Sequence, residues 1–317
     1  MAITREVPAA VVSIQSPDES EPASPEADAP SKRSRRFTSL TTKGHWAHRV
    51  AALGWFAASV AMFGGLWELA WALGWLDPLL MPPPHIFLRH FAAQGKFFDA
   101  SSIGQKPLPP LVAVLKTILS TALRVLSGLT LGFLASLAIG IAATRFKILG
   151  RLTLPTLTLL APISSVAWLP VAIFLFGIGN KPAIFLVFIG VFFIMTLATV
   201  TQIENVSKTW LEVAQTLGAT RRQTLTRVIL PAILPGLFVV LRLNLFAAWA
   251  VVLIAEAVGV GSGLGQVVLL ARNTFNSSLV FFTMTIIGIT GYGLDIGLRT
   301  VQRRLLWWQQ DTAGALR

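Results

Sequence analysis

Six long apolar runs limit what this chain can fold into. They lie at about Val50–Trp75, Leu111–Ala143, Leu152–Phe176, Pro182–Ile203, Pro235–Val258 and Leu279–Thr300. A helix rises 1.5 Å per residue, so about 20 apolar residues cross a hydrocarbon core of roughly 30 Å. In that solvent each peptide group must find its partner inside the protein, and runs this long do so as helices. The expected fold class is an all-α membrane protein with about six transmembrane helices. The run 111–143 is longer than one simple crossing, so it is tilted or starts as an interfacial helix. The run 152–176 holds Pro155, Pro162 and Pro170. Each lacks a backbone donor and can bend a helix, either to build a gate or only to ease packing.

Charged residues make up 13% of the chain and apolar residues 54%, with a mean hydropathy of +0.69. A soluble domain carries about twice that charged fraction. Cysteine is absent, which excludes a disulfide framework and a thiolate site. The formal charge of +12 is read as retention of Lys and Arg on the cytoplasmic side, not as a nucleic-acid surface. With the N-terminus inside, the cytoplasmic segments hold Lys32, Arg33, Arg35 and Arg36, then Arg145, Lys147 and Arg151. Lys208, Arg221, Arg222 and Arg227 follow, and finally Arg299, Arg303 and Arg304. The opposite side holds Arg89, Lys96, Lys106, Lys181 and Arg272. Both termini are therefore expected in the cytoplasm, with Trp307 and Trp308 near the inner interface.

Residues 1–44 are rich in Pro, Ser, Glu and Asp and are expected to form a disordered cytoplasmic tail. They do not read as a secretory signal, because the first apolar run starts late and lacks a small-residue cleavage site. Residues 45–317 form the membrane domain. Met81-Pro-Pro-Pro84 and Pro107–Pro110 predict a rigid extended crossing on the outer side. Gly177-Ile-Gly179-Asn180 predicts a tight turn. The glycine-rich stretch Gly259–Gly265 has no preceding strand and no following Lys-Ser/Thr pair. No phosphate-loop sequence occurs anywhere in the chain, so it is expected to bind neither ATP nor another cofactor. The four His residues (45, 48, 85, 90) are split between the two sides and form no metal or catalytic cluster.

One polar insert interrupts the apolar pattern: Glu212–Pro231, EVAQTLGATRRQTLTRVILP. Thr209-Trp-Leu-Glu212 and Thr220-Arg-Arg-Gln223 both have the spacing of a capping box. Trp210, Val213, Ala214 and Leu217 recur at helical spacing and share one apolar face. Gly218 stands where a helix stop calls for a left-handed residue. The prediction is a short helix, a sharp turn and a second helix that re-enters at Leu230-Pro231.

Glu68, Arg124, Arg242, Glu256 and Asp295 fall within or near the spans. Ionisable groups there are costly and face a partner or a water-filled path. Glu68 is expected to pair with Arg124, and Arg242 to snorkel toward the inner interface. Pairing is the favoured role for these groups. Arg242, Asn244, Trp249 and Glu256 remain candidates for lining a path, and Asn244 and Trp249 equally for facing a second copy.

Read as E-x-A-x-x-x-G, a spacer and L-P, the insert resembles the cytoplasmic EAA loop of ABC importer permeases. The match rests on Glu212, Ala214, Gly218, Leu230 and Pro231; Val213 replaces the pattern's second Ala and Val228 its usual Ile. The resemblance runs from about Gly65 to Trp308. It is similar to the branch that carries nitrate, aliphatic sulfonates and taurine, through Met81–Pro84, Pro162–Pro170, Phe176–Gly179, Ala255-Glu256 and Gly261–Gly265. It implies the type I importer permease fold in a bacterial inner membrane. Its partners would be a second permease copy (a homodimer), two cytoplasmic ABC ATPase subunits that bind ATP and Mg, and an external substrate-binding protein. The loop at about 204–233 would couple to the ATPase through Thr209, Trp210, Glu212, Val213, Ala214, Leu217, Gly218, Ala219, Leu230 and Pro231. This chain would make or break no bond. An ion-driven secondary transporter would instead show carboxylates at mid-membrane and a repeated half. A membrane enzyme would show a cluster of His, Asp or Glu. Neither pattern is clear.

Overall fold

The computed structural model describes residues 43–77, 79–99 and 108–308. The expected tail lies outside them except for its last two residues. The chain divides into two compact units between Ala57 and Ala58. Of the first, the structure describes the opening of helix α1 (Lys43–Ala72); all later elements belong to the second.

Short helices α2 (Pro84–Arg89) and α3 (Phe91–Gly95) and a 3-10 turn at Lys96–Asp99 follow α1. The outer connection is therefore not an extended crossing in its described part. Pro84 opens a helix because its fixed φ and missing donor suit a first turn, where that N–H has no acceptor anyway. Next come α4 (Pro110–Arg145), α5 (Lys147–Leu160), a 3-10 turn (Ser165–Trp168), α6 (Leu169–Phe176) and α7 (Asn180–Glu204). The remainder is α8 (Lys208–Thr216), α9 (Arg221–Gln223), α10 (Leu230–Ala255), α11 (Leu264–Asn273) and α12 (Ser277–Leu305). No strand occurs among the described residues. Among the described residues, four helical runs are long and apolar enough to cross a membrane: α4, α7, Arg221–Val260 and α12. Helix α1, at 30 residues, has the length to be a further span.

The run 152–176 is not one straight span. Its two halves meet at 97° across a break at residues 161–164. Pro162 cannot donate to the preceding turn, and Pro170 sits in the first turn of α6, so the two prolines end one helix and start the next. The pair nevertheless crosses from end to end. Gly128, Gly132 and Gly140 of α4 meet Val187, Val191 and Thr199 of α7 in rising order, so α4 and α7 run parallel. The chain between two parallel spans must return to the end where the first began. A second irregularity precedes α10, where Thr224–Ile229 is a π-turn and the Leu230 N–H donates to the Leu225 carbonyl. Pro231 explains it: a proline has no N–H for the carbonyl four residues back and crowds it, and a widened turn relieves both.

The α4–α7 contact needs glycine. A Cβ on Gly128 would lie 2.6 Å from Val187 Cβ and 2.7 Å from the Ile184 carbonyl. Lipid tails do not drive apolar helices together, so such close backbone packing is a main source of cohesion. Gly128→Leu is expected to lower the melting temperature of the detergent-purified protein by several degrees, as overpacking costs typically 1–3 kcal/mol. Gly288→Leu, where a Cβ meets nothing within 4 Å, is the control and should melt as the parent does. Equal melting of the two variants would refute the packing argument.

Candidate coupling segment and transport path

The polar insert folds as two helices around a tight stop. At its C-terminus α8 closes with paired bonds, Gly218 N–H to Gln215 O at 2.9 Å and Ala219 N–H to Ala214 O at 2.9 Å. Gly218 has φ +73°. This is a Schellman closure, with the left-handed residue that glycine adopts most readily. The Thr220 capping box forms in both directions: the Thr220 N–H donates to Gln223 Oε1 at 2.8 Å, and the Gln223 N–H donates to Thr220 Oγ1 at 3.4 Å. The Thr209 box does not form. Ser207 occupies the cap position and α8 starts at Lys208, which places Thr209 inside the first turn.

The apolar face of α8 is uneven. Ala214 is buried, whereas Trp210, Val213 and Leu217 are 57%, 53% and 80% exposed. Glu212 is also exposed, and its carbonyl accepts from Thr216 Oγ1. Ala219 and Arg221 share a cavity with Arg145 and Ile203, so the turn stands over the last turns of α4 and α7. Leu230 and Pro231 are half-buried at the start of α10.

At the opposite end of the spans, Arg124 of α4 is enclosed. All five of its N–H groups are used. It pairs with Glu256 and donates to the Ser262 carbonyl at 3.1 Å and Ser262 Oγ at 2.9 Å. It also donates twice to Asn180 Oδ1, at 3.0 and 2.8 Å. Glu256 is fully buried, and its second oxygen accepts from the Gly265 N–H at 3.0 Å. The glycine-rich stretch is thus a cradle for a carboxylate of its own chain. Gly263 has φ +111° and leaves no room for a Cβ beside the Glu256 carboxylate. A buried ion pair is tolerable only when its remaining donors and acceptors are satisfied, and this one is.

The expected Glu68–Arg124 pair does not occur. Glu68 accepts from the His85 backbone N–H at 3.1 Å and meets its Nδ1 at 2.9 Å. Arg242 does not snorkel freely either. It holds Asp295 of α12 through two bonds, at 2.6 and 3.2 Å, and Arg299 binds the same carboxylate at 2.6 Å. Helix register decides both outcomes by placing these partners side by side across the bundle. Trp249 is buried, its indole against Gly291 of α12. Of the four path candidates, three are therefore engaged with other helices of the same chain.

Asn244 is different. It lines a cavity of about 290 Å3 between the break at Pro162–Ser165, the middle of α7 at Gly190 and the middle of α10. Ser164 and Ser165 line it too. Both serines fall inside the stretch Pro162–Pro170, where the sequence assigns them no role; two hydroxyls between prolines at membrane depth were the available signal. Asn180, Ser262 and Thr121 were also missed as clasp residues. Thr121 Oγ1 accepts from the Leu264 N–H at 3.1 Å.

Residues 128–306 match the family described as "Binding-protein-dependent transport system inner membrane component". The chain is 30% identical over 256 residues to the taurine transport system permease protein TauC of Escherichia coli (strain K12), covering 80% of this chain and 89% of that protein. It is 26% identical over 172 residues to the nitrate import permease protein NrtB of Leptolyngbya laminosa, covering 54% and 62%. A structure of the MetNI methionine ABC transporter in an inward-facing conformation superposes with TM-score 0.52 at 19% identity, over 60% of this chain and 95% of that one.

Proposed function

This chain belongs to the family of binding-protein-dependent transport system inner membrane components, and on that premise we propose that it is the permease through which an ABC importer moves a small anion of the nitrate, sulfonate or taurine kind. Two copies form the pathway as a homodimer. Two cytoplasmic ATPases bind ATP and Mg, and this chain holds no cofactor. An external binding protein delivers the anion. ATP-driven closure of the ATPases moves α8 and the Gly218 turn, and the spans alternate between outward and inward access. Both termini and α8 lie in the cytoplasm.

The observation that carries this reading is the exposed face of Trp210, Val213 and Leu217 on a helix with a fixed stop at Gly218. Apolar side chains on a polar segment outside the spans suit a helix seated in a partner's groove. Ion-driven transport fits less well. Glu256 and Asp295, the buried carboxylates of the spans, are already paired with arginines.

The test is reconstitution in vesicles with the co-expressed ATPase and binding protein. Vanadate-sensitive uptake of taurine or nitrate is expected, and no ATPase activity from the permease alone. The chain has no cysteine, so single cysteines report the topology. Lys208→Cys should resist a membrane-impermeant thiol reagent in intact cells and Ile178→Cys, which is 81% exposed, should react. Uptake that persists without the ATPase, or labelling of Lys208→Cys from outside, would overturn the reading.

A further inference from the structure

The cavity at the broken span has a chemistry unlike the rest of the membrane region. Four threonines of the spans fold their hydroxyls back onto their own helix: Thr196 to Phe192 O, Thr199 to Met195 O, Thr283 to Leu279 O and Thr290 to Ile286 O, at 2.7–2.8 Å. Ser164 stands at the cap position and Ser165 opens the 3-10 turn at the break, and neither hydroxyl makes such a bond among the described residues. Asn244 donates one amide proton to the Val240 carbonyl at 2.9 Å, which leaves its second proton and its oxygen to the cavity. The helix Ser165–Phe176 begins at the same place, and its first N–H groups have no acceptor within the helix. Across the cavity, Gly190 keeps the space open: a Cβ there would meet Ser165 Oγ at 3.1 Å.

No lysine or arginine lines this cavity. The buried Arg124 and the partly exposed Arg242 are held by Glu256 and Asp295. An anion stripped of water in an apolar surround needs hydrogen-bond donors. A fixed cation would hold it too long, because a crossing requires a site weak enough to leave. The cavity lies between the two ends of the bundle. Gly190 is ten residues beyond Asn180 at the Arg124 end and fourteen before Glu204 at the other, or about 15 and 21 Å at 1.5 Å per residue.

We propose that this cavity is the mid-membrane station of the transported anion, held by neutral donors: the Ser164 and Ser165 hydroxyls and the Asn244 amide. The inference rests on the importer reading above and adds the residues and the type of contact. Its volume of about 290 Å3, at the lower limit of ligand pockets, suits a compact oxyanion such as nitrate or a short-chain sulfonate.

The experiment uses the complete transporter in vesicles with ATP and loaded binding protein. Ser165→Cys and, separately, Asn244→Cys are treated with two methanethiosulfonates of similar size, one bearing a sulfonate and one a trimethylammonium group. Ile178→Cys at the surface sets the reference ratio of rates. At both cavity positions the sulfonate reagent is expected to gain at least tenfold over that ratio, and modification should stop uptake. Ser164→Ala/Ser165→Ala should lower uptake about tenfold while ATPase activity stimulated by the binding protein persists. A ratio equal to that at Ile178→Cys, a preference for the cation, or no reaction at either position during turnover overturns the proposal. If the parent transporter imports neither taurine nor nitrate, the assigned substrate class fails, and the rate ratio still judges the cavity.

Discussion

Gly218→Val is expected to abolish uptake while the chain still inserts into the membrane in normal amount. The cause is confined to the backbone. Gly218 has φ +73°, and a Cβ there would meet nothing within 4 Å, so no side-chain clash enters. A left-handed residue with a Cβ costs roughly 1–2 kcal/mol, and β-branching makes that conformation a true outlier. Valine therefore drives the turn out of its Schellman closure and frees both bonds that close the end of α8. The spans do not depend on that turn. A graded series separates geometry from bulk. Asn enters the left-handed region readily and should keep most of the uptake; Ala should be intermediate and Val inactive. Uptake in vesicles and co-purification of the ATPase subunit are the readouts. If Gly218→Val keeps both at the parent level, this turn is not the coupling element.

Glu256→Leu should prevent accumulation of folded protein. Arg124 would remain buried at 5% exposure with its charge uncompensated, and the Gly265 N–H would lose its acceptor. Breaking a buried pair by removing one partner costs about 3–5 kcal/mol, a large part of the margin of a typical domain. Arg124→Met/Glu256→Leu removes both charges and should recover a substantial fraction of the folded protein, because the unpaired charge causes the largest loss. Recovery will be incomplete, since Asn180 and Ser262 also lose their donor. Detergent-extracted monodisperse protein, measured by size-exclusion chromatography, is the readout. A double variant no better than Glu256→Leu would show that the hydrogen-bond cradle, not charge balance, holds this end together.

Much of the molecule was legible in the chain itself. The long helices at 110–145, 180–204 and 277–305 follow from apolar length alone, because hydrocarbon leaves a long apolar segment no other way to satisfy its backbone. The stop at Gly218 and the Thr220 capping box are also local. Each depends on residues within a few positions of one another, so their spacing could be read directly. The Thr209 box does not form because α8 starts at Lys208, so that Ser207 holds the cap position, without a side-chain cap bond, and Thr209 lies inside the first turn.

The pairing of charges was not legible. Arg124 and Glu256 are 132 residues apart, and Arg242 and Asp295 are 53 apart. Composition shows that each buried charge needs a partner; only helix register and crossing decide which one. The same holds for the cavity at Ser164, Ser165 and Asn244. Two prolines predict a bend, but the empty space beside it exists because α7 brings a glycine to face it and α10 an asparagine. The sequence by itself determined the long apolar helices and the Gly218 turn, since hydrophobic length and left-handed glycine geometry act over a few residues. Tertiary structure decided which charges neutralise one another and where polar groups remain free, because those depend on distances between helices that no single segment encodes.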